Sequence, residues 1–192
     1  MKASEIGRKI FKIRGYLGIP FFVVAIAFAS REHAMIGLGL VLTSLGETVR
    51  IWSVAYSGRT TRARSITAKV LVTNGPYGFT RNPIYIGNFL IGLGFALASG
   101  ALWPYLVVAY TVLFWIEYYL IIRAEEDFLL QKFGKLFELY MRLVPRIIPK
   151  LKFIPLGKPT RPNFKDAFLS ERSTLIQIVG VYLVLFLRFQ FC

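Results

Sequence analysis

The chain has 192 residues, 55% of them hydrophobic, and a mean hydropathy of +0.55, yet it carries 24 Lys and Arg against 10 Asp and Glu. A soluble domain of this length has no use for so much apolar surface, and a disordered basic tail would not contain 17 Phe and 10 Tyr. A nucleic-acid partner is excluded because the basic residues lie between long apolar runs and not on folded polar surfaces. These totals predict a helical protein of the lipid bilayer, with its basic residues in the loops.

Five apolar segments follow one another along the chain, each able to cross a membrane when flanking residues snorkel. They cover residues 16–30, 34–56, 84–99, 101–122 and 175–191. We read the basic N-terminal stretch as the flank of a retained span and not as a signal peptide. Only Ser99 and Gly100 separate the third and fourth segments, which predicts a tight antiparallel helical hairpin. The expected fold is all-α, a single membrane domain (1–192) of about five transmembrane helices.

The basic residues fall on one side of this predicted bundle. Five precede the first span, Arg50 lies at the end of the second, five occupy the next connection, and eleven lie between residues 123 and 172. With five spans, 22 of the 24 Lys and Arg share one side, which the positive-inside rule makes cytoplasmic. The N-terminus is then cytoplasmic, and the C-terminus lies on the opposite side of this multi-pass protein.

The stretch between the fourth and fifth spans has two parts. Residues 123–143 repeat apolar side chains at three- and four-residue steps, which predicts an amphipathic helix that continues the fourth span and is weakened at Gly134. Residues 145–172 contain five prolines and cannot form one continuous helix. We therefore expect a Pro-rich basic connector over 150–173, followed by the last transmembrane helix over 174–191.

Ionisable residues inside the spans are candidates for function, because burying them in lipid is costly. Glu47 and Arg50 lie three residues apart on one helix face and can pair with each other. A structural pair and a site role are both open for them. Glu117 lies among aromatic residues of the fourth span, where it either pairs with Arg50 or Arg81 or faces a polar cavity.

The segment 71–87, LVTNGPYGFTRNPIYIG, leads into the third span. The Asn-Gly-Pro run at 74–76 predicts a turn. Asn82 is able to cap the following helix, and Pro83 suits its first position. Two interpretations remain open: a well-capped membrane helix with a snorkelling Arg81, or a site where Arg81 and free backbone amides bind an anion.

Helix geometry brings carboxylates to the same region. Counting outward from the Gly100 turn, at ~1.5 Å per residue, places Asn82 at the depth of Tyr118 and Glu117. The charged residues one to two turns farther out are Arg123, Glu125 and Glu126. A basic helix start that faces carboxylates suits a zwitterion, with its carboxylate near Arg81 and its ammonium or ribose hydroxyls near a Glu.

These residues resemble the membrane methyltransferases of the isoprenylcysteine carboxyl methyltransferase and phospholipid methyltransferase group. Three blocks match in order: residues 71–87 with Arg-x-Pro-x-Tyr-x-Gly, the Glu pair 125–126, and the Phe-Gly, Tyr and Val-Pro-x-x-Ile-Pro residues between 133 and 149. The resemblance covers about 62–149, the expected catalytic block. It implies transfer of a methyl group from S-adenosylmethionine to a lipophilic acceptor, either a phospholipid amine or an isoprenylcysteine-like or small carboxylate.

The resemblance also implies site residues. Those carried over by position as binding the methyl donor are Leu71, Val72, Tyr77, Asn82, Pro83, Ile84, Tyr85 and Glu125. Arg81 and Glu125 are the expected catalytic residues. The candidates for binding the acceptor are Arg81, Glu117, Arg123 and Glu126. No residue set is assigned to a metal.

Two departures from the family pattern bear on the chemistry. The usual Arg-His-Pro is Arg81-Asn82-Pro83 here, and Asn cannot titrate near neutral pH, so a proton role for that residue is excluded. The prenylcysteine enzymes place a carboxylate-binding Arg four residues before the donor-binding Glu. This chain has Ile121 there, with Arg123 close by, which weakens the case for a prenylcysteine acceptor.

A function from another class also remains open at this point. A non-enzymatic membrane transporter or scaffold would share the apolar spans and the charge asymmetry. Inverted repeats with interrupted spans would favour a transporter, and the sequence shows none. The sequence predicts no oligomeric state.

Overall fold

The computed structural model describes residues 3–58, 66–154, 156 and 160–191. Parts of the predicted basic connection (59–65) and of the Pro-rich connector (155 and 157–159) therefore lie outside the described residues. The described residues form α1 (Ala3–Ala27), α2 (Ile36–Ser57), α3 (Pro83–Ser99), α4 (Tyr105–Phe133), α5 (Lys135–Leu143) and α6 (Phe164–Phe191). No strand occurs among them, and the all-α prediction is confirmed.

Three of these helices, α1, α4 and α6, are long and apolar enough to cross a membrane, and α3 is a shorter apolar helix. Helix α2 has 22 residues but carries Glu47 and Arg50. Helices α1, α2, α3, α4 and α6 correspond to the five predicted spans. The chain is a polytopic helical membrane protein, and α5 is an additional short helix.

Helices α2 and α3 form the tightest pair in the bundle, because glycines let their backbones approach closely. A Cβ atom added to Gly39 would lie 2.5 Å from the carbonyl oxygen of Gly94, and one added to Gly46 would lie 2.6 Å from that of Gly87. Small residues at a helix interface are the usual means of close packing in membranes, where the hydrophobic effect does not drive helices together. Helix α1 packs mainly against α4.

The connection between α3 and α4 is longer than the sequence suggests. The fourth span was predicted to begin at residue 101, but α4 begins at Tyr105. Pro104 stands directly before the helix, and the residue that precedes a proline disfavours helical backbone. The longer turn shifts the register of the hairpin. Asn88, and not Asn82, lies level with Tyr118, and its Nδ2 donates to the Tyr118 hydroxyl at 3.1 Å.

Helix α4 runs without interruption into the predicted amphipathic stretch and ends at Gly134, whose φ of +51° lies in the left-handed region that favours glycine. The expected single helix over 123–143 is therefore divided into the end of α4 and the separate α5. The side chains of Phe137 and Tyr140 are buried and form the inner face of α5.

The described residues of the Pro-rich connector form no helix before Phe164 and run beside the segment that precedes α3. Backbone amides of the connector donate to that segment, from Lys150 to Phe79 at 3.0 Å and from Ile154 to Gly78 at 3.1 Å. The connector ends earlier than the expected residue 173. Helix α6 begins at Phe164 because the Asn163 side chain accepts from the backbone amide of Asp166 at 3.0 Å, which caps the helix.

Candidate active site

A cavity of about 340 Å³ opens where α3 begins and α4 leaves the apolar part of the bundle. We call it the first cavity. All eight residues carried over as donor-binding line it, together with Arg81 and Glu126. Its volume falls within the range of roughly 300–1,000 Å³ that is typical of small-molecule sites. Residues separated by more than 50 positions in the sequence thus meet at one place.

Tyr85 and Glu125 join the two sides of this cavity. The Tyr85 hydroxyl donates to Glu125 Oε1 at 2.7 Å, which links the first turns of α3 to α4. The Tyr85 ring packs against the Tyr118 ring with a centroid distance of 4.6 Å. The bond fixes the direction of the Glu125 carboxyl group, because a hydrogen bond of this length is directional.

Arg81, Glu126 and Arg146 form a second polar cluster at the cavity. Arg81 Nη2 lies 2.8 Å from Glu126 Oε1, and Arg146 Nη2 lies 2.6 Å from Glu126 Oε2. Burial lowers the pKa of the Arg81 guanidinium, and the nearby Glu126 carboxylate raises it; an arginine stays protonated in either case. Two guanidinium groups on one carboxylate leave a net positive charge. Arg146 was not identified from the sequence, since its pairing depends on how the connector folds back.

Asn82 occupies the N-cap position of α3, but its side chain does not cap the helix as predicted. The helix start has no side-chain capping bond at this residue; instead Asn82 Nδ2 donates to the Arg146 carbonyl at 2.8 Å. Pro83 does occupy the first turn of the helix. Asn82 therefore fastens the start of α3 to the connector.

Tyr140, which is buried, and Tyr77, which is partly buried, also line the first cavity. The Tyr140 hydroxyl, from α5, donates to the Tyr77 carbonyl at 2.7 Å, which ties α5 to the short 3₁₀ turn Gly75–Gly78. Burial raises the pKa of both Tyr77 and Tyr140 above the usual value for tyrosine. Both side chains therefore remain neutral hydroxyls at any physiological pH.

Two predicted acceptor-binding residues lie outside the first cavity. Arg123 is exposed on the surface of α4, where its Nε lies 3.3 Å from the Tyr119 hydroxyl. Glu117 lies about two turns of α4 from Glu125 and lines a separate cavity. Glu117 also does not pair with Arg50 or Arg81, because each of these has another carboxylate.

Arg50 joins α2 to α6 inside the bundle. Its Nη2 lies 2.6 Å from Glu171 Oε2, its Nε lies 3.4 Å from Glu47 Oε2, and its Nη1 donates to Asn88 Oδ1. Glu171 is wholly buried, so α6 contributes a carboxylate to the interior of the bundle. The predicted Glu47–Arg50 pair is present, and Glu171 is a partner that the sequence did not indicate.

The second cavity has a volume of about 480 Å³ and lies between α1, α2, α3, α4 and α6. Apolar side chains of α1 and α4 line most of it, among them Leu17, Phe21, Phe22, Leu113 and Phe114. Its polar lining includes Arg14, Arg50, Asn88, Glu117 and Tyr118. The Tyr85–Tyr118 ring pair stands between the two cavities, since Tyr85 lines the first and Tyr118 the second.

The chain is similar in sequence to known membrane methyltransferases. The phospholipid methyltransferase family profile matches residues 34–136, more than half of the chain. A probable protein-S-isoprenylcysteine O-methyltransferase of Oryza sativa subsp. indica is 30% identical over 167 residues, which are 78% of this chain and 86% of that protein. No solved structure matches the chain.

Other relatives carry different names. The cobalt-zinc-cadmium resistance protein CzcN of Cupriavidus metallidurans is 34% identical over 153 residues, and the nickel-cobalt-cadmium resistance protein NccN of Alcaligenes xylosoxydans xylosoxydans is 31% identical over 121 residues. The chain covers 65% of the former and 51% of the latter. The profile and the rice relative, which the chain covers almost completely, show that the chain belongs to the isoprenylcysteine carboxyl methyltransferase and phospholipid methyltransferase family of membrane proteins.

Proposed function

We propose that this protein is an integral membrane methyltransferase that moves a methyl group from S-adenosylmethionine to a lipophilic acceptor. The observation that carries the proposal is the convergence of all eight carried-over residues on the first cavity. A transporter would have no need to bring these residues together, and a scaffold would retain them only as a remnant of the enzyme fold. The first cavity then holds the donor, and the acceptor is a phospholipid amine or an isoprenylcysteine-like or small carboxylate.

The polar groups of the first cavity suit the donor. Arg81 Nε is buried and has no hydrogen-bond partner among the described residues, although the same guanidinium pairs with Glu126 through Nη2. A buried donor atom of this kind calls for an acceptor, because leaving it unpaired costs about 1–3 kcal/mol or more. The net positive cluster around Glu126 suits the carboxylate of S-adenosylmethionine. Glu125 suits its ammonium group or ribose hydroxyls.

The residues of the chain bind and orient, and they need supply little chemistry of their own. Bound donor supplies a methyl group that its sulfonium already activates. Glu125, held by Tyr85, and Arg81, held by Glu126, offer contacts of opposite kind to a ligand in the first cavity. In-line transfer then depends on aligning the acceptor within about 3–3.5 Å of the methyl carbon.

Sidedness follows from charge. The segments that line the first cavity lie at the same end of the bundle as the basic connections, which the positive-inside rule assigns to the cytoplasm. We place the N-terminus and the donor site on that side, and the C-terminus on the other. The lipophilic acceptor enters sideways between helices.

Calorimetric titration of the purified protein with S-adenosylmethionine tests the donor site. We expect Arg81→Ala and Glu125→Ala each to weaken binding by about tenfold or more, since each removes a charged contact. Arg142→Ala and Glu138→Ala, on the exposed face of α5, serve as matched controls that leave binding unchanged. Wild-type affinity in both site variants would contradict the proposed donor site.

Transfer of tritiated methyl groups tests the activity itself. Purified protein, labelled S-adenosylmethionine and a membrane lipid extract should give labelled lipid, which chromatography then assigns to amine or carboxyl products. Donor binding without labelled product from any lipid extract would favour a scaffold that retains the cavity.

A further inference from the structure

We propose that residues 148–153, which we call the connector tip, bind the anionic lipid head groups of the surrounding leaflet at the basic end of the bundle. Apolar side chains of the tip enter the boundary between head groups and acyl chains, and its lysines contact lipid phosphates. The inference goes beyond the proposed function and holds whether or not the protein transfers methyl groups.

Three apolar side chains of the connector tip are exposed. Ile148 is 81% exposed, Leu151 102% and Phe153 42%. Single exposed apolar residues are ordinary on a protein surface, but these three lie within six positions of an irregular segment. Such a concentration indicates a surface that is covered by an apolar partner.

The connector tip is also basic, which identifies the charge of its partner. Lys150 and Lys152 alternate with the apolar residues and are exposed. Residues 139–165 contain seven Lys and Arg and no Asp or Glu, so no acidic residue nearby in the chain offsets these charges. Apolar side chains interspersed with lysines are typical of segments that lie in the interface of an anionic membrane.

Backbone contacts hold the connector tip near the depth at which the helices leave the lipid. The Lys150 amide donates to the Phe79 carbonyl at 3.0 Å, and the Ile154 amide donates to the Gly78 carbonyl at 3.1 Å. Helix α3 begins at Pro83, only a few residues after Phe79. The tip therefore lies close to the membrane–water interface and does not extend far into the water.

A row of aromatic rings places the connector tip at the periphery of the bundle. Trp52 is 38% exposed and lies near the end of α2, a position typical of tryptophan at a membrane interface. The Phe79 ring packs against Trp52 with a centroid distance of 6.2 Å, and the Phe153 ring packs against Phe79 at 5.3 Å. The tip thus adjoins the lipid-facing side of α2, where head groups are within reach.

The connector tip is coupled to the first cavity through the residues that precede it. The Arg81 amide donates to the Pro145 carbonyl at 2.9 Å, and Arg146 pairs with Glu126. A leaflet that holds the tip therefore also restrains the connector side of the first cavity. We expect lipid charge to affect the backbone at Arg81 as well as at the tip.

Hydrogen–deuterium exchange of the full chain in lipid nanodiscs tests this surface. One set of discs contains phosphatidylcholine alone, and the other contains phosphatidylcholine mixed with phosphatidylglycerol. Two lysines near an anionic surface should slow exchange of the Lys150 and Ile154 amides about tenfold or more. Exchange at the Arg81 amide should also become slower. High salt should remove most of the difference, because it screens charges at the surface.

The variants separate the charge of the connector tip from its apolar contacts. Lys152→Glu should lose most of the protection by phosphatidylglycerol, and Lys152→Arg should retain it. Leu151→Ser should lower protection in both kinds of disc, because insertion of an apolar side chain does not require lipid charge. Lys9→Glu makes the same charge change at an exposed position of α1 and should keep the wild-type pattern. Unchanged exchange within α3 shows that a variant is folded.

Three results would overturn the proposal. The first is equal exchange of the wild-type tip in both kinds of disc, and the second is the wild-type lipid dependence in Lys152→Glu. The third is protection that appears only in discs with two copies of the protein, which would assign the tip to an interface between copies. Because no methyl donor is present, none of these results depends on the proposed enzyme activity.

Discussion

The hydrogen bond between Tyr85 and Glu125 connects two helices at the place where the methyl donor is expected. Tyr85 is 8% exposed, so water competes little for its hydroxyl. The hydroxyl stands 2.7 Å from Glu125 Oε1, and the ring rests on Tyr118. The Tyr85 hydroxyl therefore orients the Glu125 carboxyl group, and the Tyr85 ring, together with Tyr118, separates the two cavities.

Removing the Tyr85 hydroxyl should weaken donor binding without disturbing the partition. A hydrogen bond to a carboxyl group contributes about 1–2 kcal/mol, so we expect Tyr85→Phe to bind S-adenosylmethionine about tenfold less tightly. Titration calorimetry measures this, with the exposed Tyr105→Phe as control. An unchanged affinity would mean that Glu125 does not need Tyr85 to hold the donor.

Motifs predicted residue identities at the first cavity better than residue partners. The three sequence blocks were sufficient to predict that Leu71, Tyr85 and Glu125 lie at one site, and all three line the first cavity. It was not sufficient to predict that Asn82 donates to the Arg146 carbonyl, or that Arg146 shares Glu126 with Arg81. Those contacts depend on the return path of an extended connector, which has no periodic pattern to read.

At the scale of elements, apolar runs predicted which helices exist, whereas single prolines and capping residues determine where the helices begin. Pro104 delays the start of α4, and Asn163 starts α6 before the apolar run begins. A hydropathy pattern cannot show either effect, because capping and proline geometry act on single residues. The delayed start of α4 also explains the error in depth between Asn82 and Tyr118.

The close packing of α2 and α3 predicts a sharp difference between two glycines of the same helix. Gly46→Ala places a methyl group against the α3 backbone and should lower the free energy of unfolding by about 2 kcal/mol or more. Gly37→Ala meets nothing within 4 Å and should be neutral or slightly stabilising, as alanine favours helix. Thermal melting in detergent measures both. Equal melting temperatures for the two variants would contradict the packing.

The ion pair between Arg50 and Glu171 fastens the last helix to the bundle. Glu171→Ala leaves Arg50 with less compensation in a buried setting, and breaking such pairs costs about 3–5 kcal/mol. We expect a markedly lower melting temperature than for Glu32→Ala, an exposed carboxylate outside the bundle. If both variants melt like the wild type, α6 is held by apolar packing alone.

For the whole molecule, the one-sided distribution of charge predicts a topology. Cys192 is the only cysteine and should react with a membrane-impermeant maleimide from outside intact cells. In a Cys192→Ser background, Lys152→Cys in the connector should react only after the cells are permeabilised. Labelling of both sites from the same side would mean that α6, the helix between them, does not cross the membrane.

The aromatic partition between the cavities has a kinetic consequence. Under the proposed function, a donor in the first cavity would be counted per volume of water, whereas a lipophilic acceptor that enters between the helices would be counted per area of bilayer. Diluting the acceptor with inert lipid in vesicles, at constant total acceptor in the tube, should lower the rate while the KM for the donor stays constant. The rate of the proposed enzyme would then depend on how often an acceptor diffuses past the gap between its helices.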